Sequence, residues 1–324
     1  MKPPLDVIEL MNDYGKNKIP FLFIIDFLCQ NIIIKKPEEL KDGSILFLIN
    51  QKKNYSTTHK NNKQVELKSF PIGFNEYKKQ FNLVYEAIMR GDSYLTNLTC
   101  RTEIESNLSL KEIFYQSEAK YKLFYKDEFV VFSPETFIKV IDNKIYTHPM
   151  KGTIDASIPN AKSIILENSK EKAEHYTIVD LLRNDLSLVA NNVEVSKFRY
   201  IDELLTSNGK LLQVSSEIIG DLNENYKNNL GDLFKALLPA GSICGAPKKK
   251  TIEIIKNTET HNRNFYTGVF GFFDGQNLDS SVMIRYIEKT NNQLYYKSGG
   301  GVTNLSNVED EYKEILNKIY VPIY

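Results

Sequence analysis

The amino-acid sequence predicts an α+β fold with mostly antiparallel sheet, on three observations. Apolar segments of strand length come in runs and hairpins, helical-period segments stand between those runs, and no regular βαβ alternation appears. Internal repeats, low-complexity tracts and obvious linkers are absent, so residues 1–324 are taken as a single domain. Within it, 71–324 is the expected catalytic region and 1–70 a shortened N-terminal portion.

The elements follow in order. PFLFIIDF and SILFLINQ (44–51) read as strands, and the polar stretch 51–64 as an exposed loop. From Asn75 to Arg90, Tyr77, Phe81, Val84, Tyr85 and Ile88 recur at helical spacing, and Gly91 ends that helix. SYLTNLTCRTEI reads as a strand. FVVFSPETFIKVIDNKIYTHPM reads as further strands, turned at Asp142-Asn143. A long helix is expected from about Ser169 to Val189. Three strands, TGVFGFF, DSSVMIRYIEK and LYYKSGGGV, precede a closing helix over about 307–320. A capping box at Ser306 and Glu309 is expected to start that helix.

Bulk composition narrows the function classes. With 42% hydrophobic and 25% charged residues, the chain is an ordinary globular one. Lys+Arg and Asp+Glu are both 41, which argues against a dedicated nucleic-acid binder. Cys29, Cys100 and Cys244 are far apart and form neither a disulfide framework nor a zinc motif. The start of the chain lacks a signal pattern, and FLFIIDFL is too short to span a bilayer, so a cytoplasmic location is expected.

Chemistry enters with four glutamates. Glu171 and Glu174 fall within about 60° of each other on the long helix, on the side of Ile178, Leu181 and Leu182. A carboxylate on an apolar face is costly unless something positive meets it. Glu311, Glu314 and Lys318 share a similar arc of about 60° on the last helix. If the helices meet, the two ExxE pairs suit one hard cation such as Mg²⁺; otherwise they are solvated faces.

SGGGVTN (298–304) joins a strand to the last helix, and its glycines allow close backbone approach and anion binding by N–H groups. GSICGAPKKKT (241–251) lacks P-loop spacing, so its lysines are read as capping a turn or facing solvent. Lys151, in THPMKGTI, is a solvated loop residue, an anion-binding charge or a nucleophile. The last requires a neutral amine. Glu135 stands at the other end of the same hairpin, where a carboxylic acid can serve as general acid.

AEHYTIVDLLRNDLS (173–187), GSICGAPK (241–248), YTGVFGFFDGQNLDSSVMIR (266–285) and GGGVTNLSNVEDEYKEILNK (299–318) together resemble the chorismate-utilising enzymes, in that family's order from about Phe74 onward. The resemblance implies a large α/β sandwich of two antiparallel sheets wrapped by helices. It also implies Mg²⁺ held by Glu174 and Glu314, with Glu171 and Glu311 as outer partners through water. Tyr266, Arg285 and the backbone of Gly299 and Gly301 would grip the enolpyruvyl carboxylate. Gly152, Thr153 and Lys318 would lie close to the substrate carboxylates, and Glu135 would help the C4 hydroxyl leave.

Within the family, MKGT is similar to the PIKGT of aminodeoxychorismate synthases, where anthranilate synthases carry alanine in place of Lys151. That form implies attack by the lysine at ring C2, then addition of ammonia at C4. The ammonia is expected from a separate glutamine amidotransferase subunit, and the product would serve 4-aminobenzoate and folate synthesis. GDSYLTNLT (91–99) agrees, because Leu95 replaces the water-activating lysine of isochorismate and salicylate synthases. Thr136 stands where arginine is usual, Gln213 where many members have histidine, and Cys244, read as a packing residue, where threonine is common. Anthranilate synthase component I and a non-catalytic binding subunit of the same fold remain the alternatives.

Overall fold

The computed structural model describes residues 2–56, 65–206 and 209–323. Two nine-stranded sheets dominate, and every pairing among the described strands is antiparallel. The first sheet runs, in spatial order, Met150–Asp155, Gly209–Asp221, Lys144–Thr147, Thr136–Ile141, Leu278–Val282, Val269–Phe273, Phe21–Ile25 and Ile32–Lys35, with Asn191–Thr206 also paired to Gly209–Asp221. The second runs Gly245–Ala246, Leu95–Ser106, Gln293–Val302, Tyr286–Thr290, Phe129–Ser133, Tyr121–Tyr125, Ile45–Ile49 and Lys52–Lys53, with Leu67–Phe70 on Leu95–Ser106.

Strand periodicity explains how the layers pack. Phe21, Phe23 and Ile25 point into a core shared with Ile178, Leu182, Leu230 and Phe234 of the helices. Their neighbours Leu22 and Ile24 point the other way, onto Phe47, Leu123, Val131 and Tyr286 of the second sheet. This strand is therefore buried on both faces, which is why it reads as a continuous apolar run. Helix Leu110–Gln116 covers the far face of the second sheet through Leu110, Ile113 and Phe114. Helices Phe74–Met89, Lys248–Thr258 and Val308–Asn317 share a further cluster with Leu98 and Cys100. Among the described residues no helix is long and apolar enough to cross a membrane.

The hairpin at Asp142-Asn143 forms as expected. Both residues have positive φ, 50° and 61°, and Ile141 pairs with Lys144 across the two-residue turn. Two expectations are corrected, the single strand DSSVMIRYIEK and the capping box. DSSVMIRYIEK is two strands, Leu278–Val282 in the first sheet and Tyr286–Thr290 in the second. The chain crosses between sheets at Met283–Arg285, and Arg285 takes φ 53°. Gly299, Gly300 and Gly301 lie in the expected strand LYYKSGGGV, paired with Thr99, Leu98 and Asn97, so the join to the last helix falls after Val302. The last helix is capped by Asn307, whose side chain accepts from the N–H of Glu309 and Asp310, while Ser306 Oγ accepts from Thr303 N instead. Of the loop expected over 51–64, residues 57–64 lie outside the described residues.

Helix Leu5–Lys16, which the sequence reading passed over, lies against helix Leu230–Leu237 with almost no separation. A Cβ at Gly231 would fall 2.3 Å from the Ile8 carbonyl oxygen, and Asn12 Oδ1 accepts from Gly231 N at 2.7 Å. Gly231→Ala should therefore push the helices apart and cost about 1–3 kcal/mol, read as a lower urea midpoint at unchanged slope. A loss below about 0.5 kcal/mol, the ordinary surface range, would show that the contact is not tight.

Candidate active site

A cleft of about 1670 Å³ opens where the edge strand Met150–Asp155, the glycine strand and the two glutamate-bearing helices meet. Lys151, Glu135, Gly152, Thr153, Glu171, Glu174, Tyr266, Arg285, Gly299, Gly301, Glu314 and Lys318 all line it. Of the thirteen residues given a catalytic, substrate-binding or metal role from sequence, twelve are in the wall; Glu311 is 1% exposed and sits behind it.

The two glutamate-bearing helices meet at the cleft, but among the described residues their carboxylates are not gathered around one ion. Lys170, in the first turn of helix Ser169–Ser187, reaches across to Glu311 of helix Val308–Asn317 at 2.6 Å. The same ammonium lies 3.8 Å from Glu174 and 4.0 Å from Glu314. Glu174 is 4% exposed and also pairs with Lys151 at 3.2 Å. Lys318 Nζ donates to Glu314 at 2.6 Å and to the Gly299 carbonyl at 2.7 Å, joining the last helix to the glycine strand.

Electrostatics follows from that arrangement. Burial alone would raise Glu314, but Lys318, then Lys151 and Lys170, outweigh it and hold the carboxyl at about 2. Burial raises Glu171, and the neighbouring Glu174 adds to the effect. Burial also raises Glu311, against the pull of Lys170. For Lys151, burial pushes the amine toward neutrality, but Glu174, Glu314 and Glu171 prevail and keep it above the ordinary lysine range. Lys151 thus lines the cleft with its side chain 23% exposed, and the glutamates around it favour its charged form. Glu135 is raised by burial, although its hydrogen bond to Ser242 and the charges of Lys151, Arg285 and Lys318 oppose the rise.

Backbone form makes the room. Gly152 has φ 81° at an irregularity between Met150 and Thr153, and a Cβ there would come 3.4 Å from Glu171. A Cβ at Gly301 would meet Leu95 at 3.0 Å, Glu174 at 3.2 Å and Lys151 at 3.3 Å. One at Gly300 would meet Glu311 at 3.2 Å and Glu314 at 3.6 Å. The glycines keep side chains out of the corner where the carboxylates and Lys151 gather. Leu95, 2% exposed, closes that corner with an apolar group and offers no proton acceptor. Gln213 lies across from Thr153 on the neighbouring strand, with its amide 3.5 Å from Thr153 Oγ1.

Arg285, at the crossing between the sheets, has Nε 3.4 Å from the Tyr320 hydroxyl. Tyr266 is 3% exposed, and burial raises its phenol above the ordinary range. Cys244 is fully buried and its thiol pushed up to about 12, so it packs and does not react. Lys248, expected to cap a turn or face solvent, pairs with Asp185 at 2.7 Å and donates at 2.8 Å to the carbonyl of Leu237, the last residue of helix Leu230–Leu237. Sequence reasoning passed over Lys170, Gly300 and Ser242. A lysine in a helix's first turn, where the dipole disfavours a cation, was the available signal for Lys170.

The fold and this cleft define a class. The sequence pattern of the chorismate binding enzyme family matches residues 21–323, and the chain belongs to that family. It is 50% identical over 316 residues to an "uncharacterized PabA-like protein" of Haemophilus influenzae, covering 98% of this chain and 96% of that one. It is 32% identical over 260 residues to aminodeoxychorismate synthase component 1 of Escherichia coli, covering 75% of this chain and 56% of that protein's length. Anthranilate synthase component I from Streptococcus pneumoniae superposes with a TM-score of 0.67 at 25% identity, covering 79% of this chain and 59% of that one. The menaquinone-specific isochorismate synthase from Escherichia coli, at 15% identity and a TM-score of 0.71, shares the fold over 97% of this chain and 79% of its own.

Proposed function

We propose that this chain aminates chorismate at C4 to give 4-amino-4-deoxychorismate, the precursor of 4-aminobenzoate for folate synthesis. The observation that carries the reading is Lys151, set by MKGT beside Glu174 in a cleft whose adjacent corner is closed by Leu95. Lys151 first gives up a proton to solvent; its neutral amine then bonds to ring C2 as the C4–oxygen bond breaks, and Glu135 delivers a proton so that water leaves. Ammonia then bonds to C4, the C2–nitrogen bond breaks, and the lysine amine is restored. The enolpyruvyl ether is never cleaved, and the amide at Gln213, neither acid nor base near neutral pH, is consistent with its survival. A glutamine amidotransferase subunit is the proposed ammonia source.

The carboxylates of Glu174 and Glu314, backed by Glu171 and Glu311, form an oxygen-only acidic donor set that fits a hard divalent cation in kind. As placed, no three acidic, histidine or cysteine side chains among the described residues are gathered closely enough to ligate one ion, and lysines stand between the carboxylates. Mg²⁺ held by Glu174 and Glu314 would bind a substrate carboxylate and neutralise the charge that otherwise keeps Lys151 protonated. Arg285, Tyr266 and the strand at Gly299 and Gly301 would receive the second carboxylate.

The test is the mass and fluorescence of the product from purified protein with chorismate, Mg²⁺ and ammonium. A non-fluorescent aminated product retaining the enolpyruvyl group supports the reading; fluorescent anthranilate overturns it. Glu135 adds a pH signature. A general acid works protonated, and burial raises its pKa, so activity should fall as pH rises through a value above the ordinary carboxylate range. Glu135→Gln should lower kcat/KM by about 10²-fold and abolish that limb at constant free ammonia. A limb unchanged in the variant would assign it to another group.

A further inference from the structure

Among the described residues, Lys170 is the ammonium that pairs with carboxylates of both glutamate helices, at 2.6 Å from Glu311, 3.8 Å from Glu174 and 4.0 Å from Glu314. Lys151 pairs with Glu174 and Lys318 with Glu314, each on one helix only. The position is a poor one for a cation on local grounds. Helix Ser169–Ser187 starts at the Asn168 cap, so Lys170 stands in its first turn, where the exposed N–H groups already present partial positive charge. Something across the gap must compensate, and the 1%-exposed Glu311 is what it touches. The side chain remains 25% exposed, which leaves it a way out to solvent.

From this geometry we infer that Lys170 is a built-in competitor for the divalent cation: its ammonium neutralises the carboxylate cluster and must withdraw from Glu174 and Glu314 before a metal can occupy them. The inference rests on the proposal that these glutamates hold Mg²⁺. Its physical basis is charge. An ammonium within about 4 Å of both intended ligands repels a second cation in the same place, in surroundings only partly screened by water. Lys170 therefore lowers the affinity for the metal while holding the two helices together without it.

The test is direct binding of Mn²⁺, followed by electron paramagnetic resonance and calorimetry on the full chain, for wild type, Lys170→Met and Lys170→Gln. Glutamine keeps a donor for Glu311 and removes the charge, so a folded variant is available if the methionine form is unstable. Both should bind Mn²⁺ at least about tenfold more tightly than wild type. Both should also melt at a lower temperature without metal and recover most of that difference when Mn²⁺ is saturating. Equal or weaker Mn²⁺ binding in the variants overturns the inference and leaves the metal reading standing. Absence of Mn²⁺ binding in wild type and variants alike overturns the metal reading itself, and the inference with it.

Discussion

Lys151→Ala is expected to lower the yield of aminated product by roughly 10⁴-fold or more, because the variant lacks the atom that bonds to the ring. The loss should appear in kcat at saturating chorismate and ammonia, measured by product mass. Alanine alone does not separate two roles, since Lys151 is also a counter-charge to Glu174 at 3.2 Å. Lys151→Arg separates them. Arginine keeps the positive charge and cannot be deprotonated to attack carbon, so it should be as inactive as alanine if the lysine is the nucleophile. An arginine variant with substantial activity would reduce Lys151 to an electrostatic part. A lysine adduct seen by mass after quenching the wild type would be the positive counterpart.

Arg263→Met should destabilise the protein by about 3–5 kcal/mol, the cost of breaking a buried pair from one side. Arg263 and Glu259 have side chains each 2% exposed and meet through two bonds of 2.6 and 2.9 Å. The guanidinium also donates to the carbonyls of Ile243 at 3.0 Å and Asn97 at 2.6 Å, while Glu259 accepts from Thr99 N and Oγ1. Methionine would leave a buried carboxylate and two carbonyls short of donors. Urea unfolding near pH 7 reads the loss, and adding Glu259→Gln to the variant should recover part of it. Full additivity of the two changes would show that the pair does not act as a unit. Because Asn97 pairs with Gly301 and Ile243 adjoins Ser242, the pair also fixes the floor under the cleft.

Elements governed by local pattern were readable from sequence. Helix Phe74–Met89 ends where Gly91 takes φ 83°, and Asp142-Asn143 turns because asparagine and aspartate tolerate positive φ. The crossing at Arg285 was hidden, because both halves of DSSVMIRYIEK are apolar enough for burial and arginine does not advertise a left-handed backbone. The glycine strand was readable through the apolar LYY near its start; its glycines hold there because Leu95–Ser106 pairs alongside, not by their own propensity. The paired strands Asn191–Thr206 and Gly209–Asp221 mix charged and apolar residues, with three register irregularities, and defeated the period-2 pattern. At the site, Lys151, Glu135 and both ExxE pairs were visible as motifs. Their electrostatic state was not, because Lys170, Lys318 and the glutamates act on one another only after two helices and two sheets have met.

The strand Phe21–Ile25 carries a consequence for how this protein is made. It is buried on both faces, and Phe21 pairs with Phe273, which the ribosome adds three-quarters of the chain later. Its other neighbour, Ile32–Lys35, emerges at once and can close a hairpin, but that covers only one edge and neither face. Through most of synthesis an uncharged FLFII segment therefore waits with an open edge, the kind of sequence that pairs with copies of itself. Loss to aggregates during rapid expression is therefore the expected result, relieved by slower synthesis and measured as the soluble fraction of the expressed chain.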